Sequence, residues 1–316
     1  MPEIVPQAAV LGDEQPVSGA TSADSSANAL SIDLAMTTRA GGERKMKPLS
    51  SPMDIDVRDA TAEDYPLFAS LFPALGVEDP MPSPEQFAAD MLPTVIFARE
   101  AEEPIGYACW QVQGPRAHVR HVAVGEGARR RGAGRALMGE IRRRALAAGC
   151  SRWFLNVKQS NAAAIRLYEK CGLAIEQEGW AVRVDWSQLA SLPEPDGPVT
   201  VYAPESDGDA TLTARFDERP ERLRMLRGRP GIVVRAVREG GAPVAFAAFD
   251  PSFSGVYPVR VARVDLARPL FDDLRTHARE SHVQVFVEGD RSLCDALRAC
   301  GGRIHMETYR MAAALP

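Results

Sequence analysis

The feature that most constrains this chain is the run V-A-V-G-E-G-A-R-R-R-G-A-G, Val122 to Gly134. A β-branched stretch from His118 to Val124 predicts a strand, and an amphipathic pattern from Ala133 to about Ala148 predicts a helix. Between and at their junction lie Gly125, Gly127, Gly132 and Gly134, which let the backbone turn tightly and approach a ligand. The first turn of a helix offers unpaired N–H groups and the positive end of its dipole. A strand, a glycine loop and a helix start therefore make a ready anion site, best suited to phosphate. Arg129, Arg130, Arg131 and Arg135 add permanent charge on fork-shaped donors. Glycine spacing alone also fits a plain turn with a solvated basic face. The dinucleotide fingerprint G-x-G-x-x-G is not met, because G-E-G-A-R-R lacks a third glycine.

What fits is R-x-x-G-x-G, formed by Arg129, Gly132 and Gly134 directly after a V-x-V strand end. Downstream, a strand expected over Trp153–Val157 leads into S-N-A-A-A-I-R-L-Y-E-K-C-G-L, Ser160 to Leu173. Here Asn161, Ala164, Leu167, Tyr168, Lys170 and Gly172 match the pattern N-x-x-A-x-x-L-Y-x-K-x-G-F, with Leu173 in place of the phenylalanine. The two motifs, in order, resemble the GNAT (GCN5-related N-acetyltransferase) superfamily from about Asp54 to Trp186. The resemblance implies an α/β (α+β) fold with a mixed central sheet flanked by helices. It implies acetyl-CoA, or a similar thioester, as the acyl-donor cosubstrate. It also implies a coenzyme site made of Val122, Ala123, Val124, Arg129, Arg130, Arg131, Gly132, Ala133, Gly134, Arg135 and Asn161.

The length of 316 residues accommodates two domains, and an apolar fraction of 45% with 25% charged residues is that of a soluble globular protein. A net charge of −5 argues against general nucleic-acid binding, although Arg129–Arg144 is locally basic. The cysteines Cys109, Cys150, Cys171, Cys294 and Cys300 have no paired spacing and form no zinc pattern with the histidines. Reduced thiols in the cytoplasm are the expectation, with no metal. No run reaches the length of a membrane span, and the N-terminus has no secretory pattern.

Residues 1–52, rich in Ala, Ser, Gly and Pro, read as a disordered extension, either a docking tail or a stretch that is not translated. Residues 53–186 read as the catalytic domain. It opens with a strand at Asp54–Arg58, a helix capped by Thr61 and Asp64, and a second helix at Ser83-Pro84. The connection Pro73–Pro82 is implied to wall the acceptor site, where Glu78 and Asp79 either attract an amine or are simply solvated. Strands are expected at Thr94–Arg99 and Ile105–Val112, and a closing pair at Ala174–Glu178 and Ala181–Trp186. Residues 187–198, with L-P-E-P-D-G-P, read as a linker. In residues 199–316 the later elements recur. A hairpin is expected at Gly231–Arg238 and Ala242–Phe249, strands at Val259–Val264, Val283–Val287 and Glu307–Ala313, and helices at Pro269–Arg279 and Ser292–Ala299. The glycine loop is missing there, and Asp290 and Cys294 stand where the first copy has Asn and Ala. The expectation is a degenerate second copy in tandem, with an unrelated α+β module as the alternative.

An alkylammonium acceptor, with a reference pKa of about 10.4, must lose a proton before it attacks a thioester. The oxyanion needs donors already in place. The resemblance implies that pantetheine inserts between two splayed strands, leaving amides near Val122 and Val124 to serve it. Tyr168 is the candidate general acid for the leaving thiolate, against the alternative of a core tyrosine. Asn156 stands where the ribosomal-protein N-terminal acetyltransferases carry a glutamate, and it cannot take a proton. His121 is the candidate base, although strict alternation faces it away from Val122 and Val124; Glu78 and Glu176 are others. The expected activity is acetyl transfer by direct attack of an amine in a ternary complex, the acceptor being a small molecule or a protein N-terminus. The alternative from another class is a regulatory acetyl-CoA-binding module without turnover.

Overall fold

A computed structural model describes residues 55–76, 81–216, 218 and 220–316. The N-terminal extension, Glu78 and Asp79 lie outside the described residues. The first half comprises β1 (Ile55–Asp59), α1 (Tyr65–Leu71), α2 (Pro84–Gln86, continued by a π-turn over Phe87–Met91), β2 (Val95–Glu100), β3 (Glu103–Gln113), β4 (Arg116–Val124), α3 (Ala133–Ala147), β5 (Arg152–Lys158), α4 (Ala162–Lys170) and β6 (Ala174–Asp185). The second comprises β7 (Val199–Tyr202), α5 (Asp209–Ala214), α6 (Pro220–Arg227), β8 (Val233–Glu239), β9 (Ala242–Asp250), β10 (Gly255–Val261), α7 (Ala267–Arg275), β11 (His282–Glu288), α8 (Arg291–Ala299) and β12 (Arg303–Ala314).

Helix entry follows the capping residues read from the sequence. Asp64 accepts from the Thr61 amide at 2.6 Å and is clamped by both terminal nitrogens of Arg58 at 2.6 and 2.7 Å. Ser83 and Gln86 cap each other reciprocally around Pro84. No element was expected over residues 199–230, where β7, α5 and α6 form from short polar segments with too few turns for a helical period to show. Helix α7 starts two residues before Pro269, which falls in its first turn, where the missing N–H costs nothing.

All twelve strands join one sheet in the order β1-β2-β3-β4-β5-β12-β6-β11-β10-β9-β8-β7. The order is symmetric about the β12–β6 pair, and the last strand of each half is exchanged. β12 lies against β5 of the first half, with Arg310 opposite Asn156, while β6 lies against β11 of the second, with Val182 opposite Val285. The pair of strands expected at Ala174–Glu178 and Ala181–Trp186 is therefore one strand of 12 residues that crosses between the halves. Gly179 reads as a break in sequence, yet it serves a close approach. A Cβ there would meet Thr308 Oγ1 at 2.7 Å and Phe286 Cζ at 3.1 Å.

Alternation along the strands separates two faces. In β2, Ile96 and Ala98 join the core under α3, whereas Val95 and Phe97 join the core under α1 and α2. On the back, Leu137 and Ile141 of α3 pack on Trp153, Leu155 and Met311, and Leu270 of α7 with Leu293 of α8 packs on Val283, Val285 and Val182. On the front, Phe68 and Phe87 cover Phe97 and Tyr107 at one end, and Leu212 and Leu223 cover Ala236 and Phe246 at the other. Between these two front clusters Ala181, Tyr257 and Phe286 form a small apolar cluster of their own, beside the buried Glu288.

Candidate active site

The parallel ladder between β4 and β5 stops at His118 opposite Phe154. At that point β4 bulges: its register against β3 shifts between Val119 and His121, with Arg120 as the extra residue. A bulge bends and twists its strand, so β4 turns away from β5. Beyond it, the Gly125 amide donates to the Ile105 carbonyl at 3.0 Å. In an antiparallel ladder, pairs that exchange hydrogen bonds alternate with pairs that do not. With Ala123 opposite Tyr107 and Val122 opposite Ala108, the N–H and C=O groups of Val122 and Val124 therefore face the edge that β5 has left. The opening expected between two strands is present.

The chain leaves β4 through a tight turn over Glu126–Ala128 and passes left-handed positions at Arg130 (φ 64°) and Gly132 (φ 103°). The first helical hydrogen bond of α3 runs from Ala136 N to Gly132 O at 3.0 Å, so the amides of Ala133, Gly134 and Arg135 precede it. Gly134 lets α4 pack close, because a Cβ there would lie 2.8 Å from Leu167 Cδ2 and that side chain would have to shift. Arg131 forms an ion pair with Glu100 on β2 and binds the loop to the sheet. Arg129 is half exposed, and its Nε donates to the Val124 carbonyl at 3.4 Å. Arg130 and Arg135 are exposed. Asn161 caps α4, its Oδ1 accepting from Ala164 N at 3.1 Å.

Tyr168 lies in the back core that also takes Val122 and Val124, and is 8% exposed. Burial, and then Cys171, pushes its phenol well above the ordinary value, so it stays protonated. His121 is buried on the other face of β4, in edge contact with Phe72, its Nδ1 3.4 Å from the Tyr107 hydroxyl. Burial, and then the charge of Arg120, pushes its imidazole down to about 3. The structure thus packs Val122, Val124 and Tyr168 against one back core and sets His121 across the strand from them. Glu176 is held at 2.5 Å by Arg152.

Four residues of the front face escaped the sequence reading. His118 stacks on Phe154 with ring centroids 4.5 Å apart, and burial, Arg120, Arg310, His121 and Arg222 together push it down to about 3. Its strand position was legible, but its partners were not. Arg310 arrives on the exchanged strand β12 and Arg222 on α6, both far off in sequence. On the same front face, Lys158 Nζ donates to the Gly76 carbonyl at 3.1 Å and ties β5 to the connection after α1.

Residues 57–173 match the family model described as the acetyltransferase (GNAT) family. Among solved structures, the chain is similar to a GCN5-related N-acetyltransferase from Sphaerobacter thermophilus, at 15% identity and a TM-score of 0.57, over 83% of this chain and 96% of that one. It is similar to a tandem GNAT protein from the clavulanic acid biosynthesis pathway, at 17% identity and 0.52, over 83% and 99%. A putative acetyltransferase from Pyrococcus horikoshii gives 17% identity and 0.52, over 86% and 93%. No curated protein sequence matches the chain. The mixed sheet with helices on both faces is the fold of these structures.

Proposed function

Residues 57–173 form a GNAT acetyltransferase domain, and on that premise we propose that the chain is an N-acetyltransferase that moves an acetyl group from acetyl-CoA to an amine. The observation that carries this reading is the opening beside Val122 and Val124, continuous with the glycine-bounded start of α3. The residues fit the coenzyme. Gly132 holds a backbone angle that disfavours any side chain, and the amides of Ala133, Gly134 and Arg135 are available to pyrophosphate oxygens. Arg129, Arg130 and Arg135 would supply charge, while Arg131 and Asn161 would hold the loop and α4 in place. Ala123 would hold β4 to β3.

When bound, acetyl-CoA supplies an activated acyl thioester. The backbone amides facing the opening would hold the pantetheine and donate to the carbonyl oxygen as charge develops on it. Tyr168, uncharged at any physiological pH, would donate its O–H to the leaving sulfur. The new bond would join amine nitrogen to acyl carbon as the carbon–sulfur bond breaks; the sulfur would take the Tyr168 proton, and the proton shed by the nitrogen would restore the phenol. His121, neutral and far weaker than an ammonium's conjugate base, suits an accepting hydrogen-bond role better than full deprotonation. Water at the front is then the route by which the ammonium loses its proton.

Residues 53–186 would be the catalytic unit, 187–198 the connection, and 199–316 a second copy that has lost its coenzyme loop. The five free cysteines support a reducing, cytoplasmic setting. Among the described residues no helix is long and apolar enough to cross a membrane. The test is thiol release from acetyl-CoA with a panel of amines and peptides. Amine-dependent release supports the enzyme, whereas binding without release under every acceptor points to a regulatory module.

A further inference from the structure

Three arginines in succession, Arg129 to Arg131, stand between β4 and α3, and their side chains go different ways. Arg129 is half exposed and Arg130 is exposed. Arg131 turns back to the sheet. Its Nη2 donates to Oε2 of Glu100, the closing residue of β2, and its Nη1 reaches the Gly127 carbonyl at 3.4 Å. From the position just before the left-handed Gly132, one guanidinium thus joins the start of the turn to the end of a strand 31 residues earlier.

The alternation that sets Ile96 and Ala98 under α3 sets Glu100 on the same face, where an apolar side chain would extend the core. Ile55, directly opposite Glu100 on β1, would touch a Cβ at Gly132 at 3.5 Å, which places this corner of the sheet against the loop. The Glu100 side chain is 15% exposed, and its Oε1 is buried with no hydrogen-bond partner. Among the described residues, Arg131 is what compensates its charge. A carboxylate near a loop that is to hold pyrophosphate should oppose the ligand. Neither packing nor charge therefore accounts for a glutamate here, whereas its hold on Arg131 does.

We propose that Glu100 is a positioning residue for the coenzyme. It takes Arg131 out of the set that meets phosphate and uses it to fix the loop, so that the amides of Ala133, Gly134 and Arg135 stand ready before acetyl-CoA arrives. The proposal rests on the coenzyme reading above. A loop fixed in advance loses less freedom on binding than one that must be ordered by the ligand. Loss of Glu100 has two opposed consequences, and the sign decides between them. If Glu100 only repels the ligand, or only keeps Arg131 from it, removal strengthens binding. If Glu100 fixes the loop, removal weakens binding even though a negative charge has gone.

The test is calorimetry with acetyl-CoA on Glu100→Gln, which keeps the shape and removes the charge, and on Glu100→Asp, which keeps the charge and shortens the reach. Both should raise the dissociation constant by about threefold to tenfold, the scale of one charge-assisted contact. KM for acetyl-CoA should rise with it while kcat at saturation holds. Because Glu100 acts through Arg131, adding Glu100→Gln to Arg131→Gln should change affinity by less than about twofold. Unchanged or tighter binding in Glu100→Gln overturns the proposal, and so does a second loss of full size in the double variant. A coenzyme-free readout separates the tether from the reading it rests on. Tryptic cleavage of the native protein after Arg129 and Arg130, followed by mass spectrometry, should be at least about threefold faster in both Glu100 variants. If the wild type binds no acetyl-CoA, the coenzyme reading fails and the tether is judged by this rate alone: a faster cut supports it, and an unchanged one overturns it. If Glu100→Gln does not fold, Glu100→Asp decides on the same expectations.

Discussion

The two halves handle the step after their fourth strand in opposite ways. Both splay. The β4–β5 ladder ends after Arg116, Ala117 and His118, and the β10–β11 ladder has only Gly255 and Val256 paired. Both fourth strands carry a register shift against the strand before them, at Val119/His121 and at Val256/Val259. What differs is the junction to the next helix. The first half uses Gly132 at a left-handed angle and offers α3 amides flanked by arginines. The second has no glycine between Val256 and Glu288, places Asp265 just before α7, and binds Arg263 to Glu239 and Asp265 at 3.0 Å each. An incoming phosphate would meet a carboxylate there and find the arginine already paired. The splay belongs to the strand geometry that both halves need, and the capacity to hold an anion belongs to the loop, so one can be lost without the other.

The largest expected effect tests whether the halves are separable at all. Ending the chain after Gly302 removes β12, which pairs with β5 on one side and β6 on the other. Loss of cooperative thermal unfolding, followed by circular dichroism, is the expected outcome. A truncated chain that still melts sharply and binds acetyl-CoA would show that each half stands alone. Next in size is Gly132→Glu, which sets a bulky anion on the loop at a φ of 103°. Calorimetry should find one acetyl-CoA site per wild-type chain and none in the variant. Two sites in the wild type would mean that the second junction also binds.

These contrasts show which parts of the molecule the sequence discloses. The anion loop is local, and its glycines and arginines are contiguous, so Val122–Gly134 could be read directly. Asn161 and Asp290 were aligned as equivalents by their order, and each caps its helix, with Oδ1 accepting at 3.1 and 2.9 Å. The strand exchange left no mark, because β6 would alternate in the same way whichever neighbour it had. For the same reason the surroundings of His118 were hidden. His118 and Arg310 share Phe154 through a pairing of β5 with β12 that no short-range pattern encodes. The bulge at Arg120 was equally silent, yet it turns β4 away from β5.

A smaller effect separates chemistry from packing within the first half. Tyr168→Phe keeps the ring in the back core and deletes its donor. The turnover number should fall roughly a hundredfold, the scale of general acid catalysis, with acetyl-CoA affinity and melting temperature nearly unchanged. Because burial raises this phenol, the wild-type rate should show no alkaline loss from Tyr168 below about pH 10. Wild-type turnover in the variant would leave the amides of the opening as the main device.

The smallest expected effects come from a matched pair of arginines, one at each junction. Arg129 is half exposed and, among the described residues, reaches the Val124 carbonyl and, at 4.0 Å, Glu126. Its charge is largely unspent, so Arg129→Gln should weaken acetyl-CoA binding by about threefold to tenfold, a modest loss for an exposed charged donor. Arg263 is exposed to a similar degree, but both of its faces are committed to Glu239 and Asp265. Arg263→Gln should leave the dissociation constant for acetyl-CoA unchanged and shift the melting temperature by no more than ~2 °C, since exposed ion pairs contribute little. Calorimetry and a melt on both variants read the pair. Equal losses of affinity would mean that the coenzyme senses the two junctions alike, and the division of labour drawn between the halves would fall. A loss at Arg129 alone would tie binding to which junction holds its arginine more loosely, which is a property of the carboxylates around the loop as much as of the glycines within it.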